Sequence, residues 1–239
     1  MEKEKLQHLN KALEGLPLAQ SIPMVIEALE GRKVFSTSFG IEDQVLTHFI
    51  APYAGGVEVF TLDTGRQFNE TYEVFHKTLN KYPALAIQTF FPEEEDIKSY
   101  VNGHGVNGFY NSVESRKECC RVRKVKPLQR ALKGAALWIT GLRAEQSVNR
   151  EAMQFLEWDG PNNLLKFNPL LNYTLKEVEE LVSLHNIPVN PLYKQGFLSI
   201  GCAPCTRALA PGEDFRAGRW WWENGKKECG LHIQSEKNY

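Results

Sequence analysis

KVFSTSFGIEDQVLTHFI (33–50), followed shortly by VEVFTLDTG (57–65), is the stretch on which the fold turns. Lys33 to Ser38 reads as a strand entering a turn, Ile41 to Ile50 as a helix, and Val57 to Leu62 as the next strand. The alternation continues outward. Asn69–Tyr82 reads as helix, Leu85–Phe91 as strand and Glu93–Val101 as helix. Ser115–Leu132 reads as helix and Ala136–Thr140 as strand. Thr174 and Glu177 form a capping-box signature at the head of a helix ending near Leu184. The first 30 residues read as helix around Leu9, Leu13, Ile26 and Leu29, interrupted at Pro17 and Pro23. Strands alternating with helices predict a single α/β domain, with a mainly parallel sheet flanked by helices.

After Pro188 the punctuation by proline and glycine becomes dense, and long regular elements are not expected. Residues 1–206 are read as the α/β domain, and 207–239 as a mobile C-terminal arm that is polar at its end. Within the arm, Pro211–Asp214 looks like a helix start, which would put Arg216 and Arg219 on one helical face.

Composition narrows the class. Hydrophobic residues are 42% and charged residues 24% of 239, and the net charge is -1, so nothing suggests a nucleic-acid or membrane surface. The N-terminus carries charges of both signs with no apolar run behind it, which argues against a secretory signal and for the cytoplasm. In that reducing compartment five cysteines read as metal ligands or catalytic thiols rather than disulfides.

Four of them form two close pairs, Cys119-Cys120 and Cys202-Ala203-Pro204-Cys205, about 80 positions apart. If the pairs meet, they make a four-thiolate site for zinc or for an iron–sulfur cluster. Neighbouring side chains on a helix point about 100° apart, which suits a cubane better than one small ion. Ser36, Thr37, Ser38 and Gly40 lie between a strand and a helix start, where hydroxyls and N–H groups can receive an anion, although turns and caps use the same residues. Leu62-Asp63-Thr64-Gly65 ends the next strand in the same sense. Arg121, Arg123, Lys124, Lys126 and Arg143 add positive charge, and Trp220-Trp221-Trp222 reads as packing. Cys229 sits among Lys227, Glu228 and His232; the lysine and histidine favour its thiolate, and Glu228 opposes it.

In combination, SFGIEDQV (38–45), LDTGRQFNETY (62–72), CCRVRKVKPL (119–128), TGLRAEQS (140–147), SIGCAPCT (199–206), GRWWWE (218–223) and KECGLH (227–232) resemble the adenylyl-sulfate and phosphoadenylyl-sulfate reductases of sulfate assimilation. The resemblance implies an adenine-nucleotide α-hydrolase-like fold and one 4Fe–4S cluster on Cys119, Cys120, Cys202 and Cys205. It implies that Cys229 attacks the sulfur of adenosine 5′-phosphosulfate, and that thioredoxin then releases sulfite. It places Ser36, Ser38, Lys124, Arg143, Arg216, Arg219 and His232 around the phosphosulfate. Both cysteine pairs point to adenosine 5′-phosphosulfate rather than its 3′-phosphorylated form (PAPS), with a dual-substrate enzyme as the alternative. A tRNA-thiolating ATP pyrophosphatase would share the fold but carry an SGGKDS-type loop, where this chain has SFGIED. A homo-oligomer is compatible with the sequence and not demanded by it.

Overall fold

The computed structural model describes residues 3–146 and 153–223. Its elements are α1 (Lys3–Leu13), α2 (Leu18–Ala28), β1 (Arg32–Ser36), α3 (Ile41–Ile50), β2 (Glu58–Leu62), α4 (Asn69–Lys81), β3 (Ile87–Phe90) and α5 (Glu94–His104). They continue with α6 (Val113–Cys120), α7 (Lys126–Leu132), β4 (Ala135–Ile139), β5 (Leu156–Asp159), β6 (Leu164–Phe167) and α8 (Leu175–Leu184). The strands form one sheet in the order β3-β2-β1-β4-β6-β5. β1 pairs parallel with β2 and with β4, and β4 pairs parallel with β6. β5 pairs antiparallel with β6 at the edge of the sheet. The alternation read from the sequence is therefore the α/β fold expected.

The chain divides into two compact units, 1–60 with 74–88 and 134–189, and 61–73 with 89–133 and 190–239. In the first, Val34, Phe35, Leu137 and Ile139 from the central strands are fully buried. Ile22, Val25, Val45, Leu46 and Ile50 from α2 and α3 complete that core. Continuous apolar strands of this kind are what a parallel sheet buried on both faces requires. Thr174 caps α8 through the reciprocal bonds with Glu177 that its sequence signature predicted.

In the second unit α5 and α6 contribute Tyr100 and Cys119 to a smaller core shared with Phe109, Cys202, Cys205 and Trp220. The expected single helix over 115–132 is interrupted. Arg121–Val125 forms one π-helical turn, in which the Lys126 N–H reaches back to the Arg121 carbonyl. Pro127 explains it: proline has no N–H and its ring crowds the carbonyl four residues earlier, so the helix inserts a wider turn.

Two other expectations are corrected. The short β5–β6 hairpin was not foreseen. No helix follows Pro211: residues 215–218 are turns, and Arg219 pairs with Thr206 in an isolated antiparallel bridge. A further bond runs from Trp220 N–H to the Cys205 carbonyl. Backbone pairing with the cysteine loop outcompetes a helix there. Among the described residues, no helix is long and apolar enough to cross a membrane.

Candidate functional site

In the first unit the strand order reverses between β1 and β4, and the carboxyl ends of strands at such a point are the usual ligand position in open α/β sheets. After β1 the chain turns sharply, with Phe39 at φ 59° and its N–H on Thr37 Oγ1 at 3.1 Å. The Ser36 hydroxyl accepts from Trp138 Nε1 at 2.8 Å. Ser38 gives both its backbone N–H and its hydroxyl to Asp43 Oδ2, each at 2.6 Å. Burial pushes the Asp43 carboxyl up to about 6, against the lowering effect of those two bonds and with some help from Glu42. After β4, Gly141 leaves room for this arrangement, since a Cβ there would run into the Asp43 carboxylate. Arg143 is buried, with Nε on Glu42 Oε1 at 3.0 Å and Nη1 on Glu145. Ser36, Ser38 and Arg143 are thus gathered in one unit, with their polar groups engaged by other protein groups.

The second unit gathers the cysteines. Cys119 and Cys120 end α6, whose Ser112 cap accepts from Ser115 N at 3.1 Å. Cys202 precedes and Cys205 ends a 3-10 turn, Ala203–Cys205, tied down by Cys205 N–H to the Cys202 carbonyl at 2.9 Å. Thr206 Oγ1 donates to the same carbonyl at 3.0 Å. The Ala203 N–H meets the Arg66 carbonyl at 2.8 Å, and Thr64 Oγ1 lies 3.2 Å from Cys202 Sγ. All four cysteines line one pocket together with Arg66, Arg116, Arg123, Lys124, Arg219 and Trp220. The two pairs, far apart in the chain, do meet.

Burial pushes the Cys205 thiol up to about 12, with Cys202 adding to the shift, and burial raises Cys119 as well. Thiols held this high are neutral at pH 7 and do not act as nucleophiles there; bound to a metal they would ionise. Among the described residues, no three His, Cys, Asp or Glu side chains converge closely enough for a single metal ion. Four thiols lining a common pocket are a donor set that suits a thiolate-bound metal group. The nearby N–H groups agree. Arg123 Nε, Arg219 Nε and Trp220 Nε1 are buried with no hydrogen-bond partner among the described residues, and all three residues line the pocket. Buried N–H groups are seldom left unpaired, and sulfur acceptors in the pocket would satisfy them.

Arg219 reaches its place because residue 201 is glycine: a Cβ there would strike the guanidinium. Its guanidinium also lies 4.8 Å from the Trp220 ring centroid. Lys124 sits in the π turn and lines the pocket, whereas Arg216 lies in the 215–218 turns, half-buried. Cys229 and His232 lie outside the described residues. Arg66 and Arg116 were missed as individual pocket residues. Arg116 had a readable signal, since it lies one helical turn before Cys120.

Residues 32–208 match the model of the phosphoadenosine phosphosulfate reductase domain. The chain belongs to that family. A curated relative from Agrobacterium fabrum, adenosine 5′-phosphosulfate reductase, is 51% identical over 226 residues, covering 94% of this chain and 86% of the relative. Among solved structures, phosphoadenylyl-sulfate reductase from Candida auris superposes with a TM-score of 0.73 at 25% identity, covering 87% of this chain and 98% of that one. The NH3-dependent NAD synthetase of Campylobacter jejuni, with a TM-score of 0.50 and 12% identity over 78% of this chain and 75% of its own, shares the fold alone. That likeness is one of fold, the α/β arrangement with a mainly parallel sheet.

Proposed function

We propose that this chain is an adenosine 5′-phosphosulfate reductase of sulfate assimilation, an oxidoreductase that yields sulfite and AMP at the expense of thioredoxin. The observation that carries the reading is the meeting of both cysteine pairs in one cation-lined pocket, in a chain 51% identical to a relative of that name. Cys119, Cys120, Cys202 and Cys205 hold one 4Fe–4S cluster. A bound cluster would tie α6 to the 202–205 loop and set the field around the pocket cations.

Cys229, carried by the 207–239 arm, is the nucleophile. Its thiolate attacks the sulfur of the substrate, the bond from sulfur to the phosphate oxygen breaks, and AMP leaves with the bonding pair. Lys124, Arg216, Arg219 and His232 neutralise the phosphosulfate oxygens, and the 1–206 domain binds the nucleotide through Ser36, Ser38 and Arg143. Arg143 becomes available to an anion when Glu145, 57% exposed, gives up its place. One thiolate of thioredoxin then attacks Cys229 Sγ, sulfite leaves, and the second thiol resolves the mixed disulfide, so the dithiol supplies both electrons. The chain acts in the cytoplasm.

A second reading, in which the 3′-phosphorylated nucleotide is the substrate, draws on the likeness to the Candida auris enzyme. Thioredoxin-coupled turnover with each nucleotide separates the two. We expect higher kcat/KM for adenosine 5′-phosphosulfate; the reverse order would hand the chain to the second reading.

A further inference from the structure

Glu145 holds two groups at once. Its Oε2 accepts from Arg143 Nη1 and, at 3.0 Å, from the Leu175 N–H, the first amide of α8. That amide is one of the donors a helix start leaves without an intrahelical partner, and the Thr174–Glu177 capping box serves two others. The two ends of the contact differ in environment: the Arg143 side chain is 2% exposed and that of Glu145 57%. On its other side the guanidinium is held more deeply. Arg143 Nε donates to Glu42 Oε1 at 3.0 Å, and the same oxygen accepts from Gln146 Nε2 at 2.8 Å. The turn carrying these residues is pinned by its backbone, with the Ala144 N–H on the Leu171 carbonyl at 2.8 Å and the Gln146 N–H on the Arg143 carbonyl at 3.3 Å. Releasing Glu145 therefore takes a side-chain rotation and no backbone movement.

We propose that Glu145 is a resident carboxylate that fills the anion position of Arg143 in the free protein, is displaced by the anionic tail of the nucleotide, and so sets both the affinity for that tail and the discrimination against nucleosides without one. This rests on the reductase reading above, which brings the phosphosulfate to Arg143. The difference in exposure decides which partner moves. Glu145 leaves into water, whereas a buried guanidinium deprived of a carboxylate is costly, so Glu145 goes only as another anion arrives. Its departure also frees the Leu175 amide, which lies at the surface where water can serve it. A nucleoside with no anionic group offers Arg143 nothing and leaves Glu145 in place. The exchange weakens binding, because the apparent affinity is reduced to the fraction of molecules in which the position is open. Glu42 and Glu145 together also outweigh the one guanidinium between them, so removing the Glu145 charge lifts a repulsion on the incoming anion.

The test is calorimetric titration of anaerobically prepared holoenzyme with adenosine diphosphate, whose β-phosphate stands in for the sulfonate and transfers no sulfur. Adenosine is the uncharged control. Glu145→Gln keeps an oxygen for the Leu175 amide and loses the charge. It should bind adenosine diphosphate about three- to tenfold more tightly than wild type, and adenosine with unchanged affinity. Unchanged or weaker binding of adenosine diphosphate in this variant overturns the proposal, since Glu145 would then be a support for Arg143. An equal gain for adenosine overturns it as well, because no anion exchange is involved in that gain. A second measurement needs no binding by a variant. In wild-type protein labelled with 15N-leucine, saturation with adenosine diphosphate should move the Leu175 amide resonance towards its position in ligand-free Glu145→Gln, and adenosine should leave it unmoved. A Leu175 amide that ignores adenosine diphosphate means that Glu145 has stayed, and the proposal falls. Wild-type protein that binds neither ligand and makes no sulfite from adenosine 5′-phosphosulfate sinks the reductase reading itself, an outcome distinct from all of these.

Discussion

Asp43 sits half-buried at the head of α3, accepting from Ser38 twice, with its carboxyl pushed up to about 6 by burial. A carboxyl whose folded value exceeds its unfolded value near 3.8 favours the fold when protonated. The native state therefore loses stability as pH rises from about 4 through about 6, and the penalty is complete at neutral pH. Asp43→Asn lacks that titration. Its stability advantage over wild type should grow between pH 4.5 and 7, by at most about 3 kcal/mol before solvent screening. Denaturant unfolding at several pH values reads this directly, and a pH-independent difference between the two proteins would contradict it. Gly201 makes the second prediction at this scale. A Cβ there meets only the far end of Arg219, so Gly201→Ala should fold and melt close to wild type. It should raise KM for the nucleotide by about tenfold through a lost charge-assisted contact, and an unchanged KM would remove Arg219 from the substrate site. Neither constraint is visible in the sequence: a glycine near a cysteine reads as turn chemistry until the neighbouring side chain is placed.

Among the elements, those long enough to repeat their pattern were legible. β1, α3, β2, α4 and α8 fall within a residue or two of the sequence reading because each carries a full period of buried positions or a complete cap. β5 and β6 escaped because four residues hold barely one repeat of alternation, and Trp158 on β5 is 57% exposed. The π turn at Arg121–Val125 and the missing helix after Pro211 share another cause. A proline clash in one and backbone pairing with the cysteine loop in the other override local propensity. The meeting of the two cysteine pairs was a legible possibility whose proof needed α6 and the 202–205 turn in space. Because those elements are joined by about 80 positions of chain, removing one thiolate should cost both the bound group and the closure it enforces. Cys120→Ala and Cys202→Ala should each lose most of their iron and several kcal/mol of stability. Iron and sulfide analysis with a melting curve checks this, and full iron in either variant would strike that cysteine from the ligand set.

At the scale of the whole molecule, the four pocket cysteines and the remaining one divide the labour. Burial raises Cys119 and carries Cys205 to about 12, which suits ligands and disqualifies bare nucleophiles. Cys229 is the cysteine outside both pairs, flanked by Lys227 and, three positions on, His232. An ordinary thiol is only a few per cent ionised at pH 7, so such neighbours matter to its rate. Cys229 stands outside both cysteine pairs, and Cys229→Ser should therefore keep its iron, its melting temperature and its nucleotide affinity. Serine is barely ionised at neutral pH, so sulfite formation should fall by at least about a thousandfold. With wild-type protein, adenosine 5′-phosphosulfate alone should release about one AMP per site and add one sulfonate to the peptide bearing Cys229. Thioredoxin added afterwards should discharge that mass as sulfite, and a thioredoxin lacking its resolving thiol should remain attached as a mixed disulfide. A Cys229→Ser protein that turns over at the wild-type rate, or a sulfonate found on a pocket cysteine instead, would transfer the chemistry to the pocket thiols.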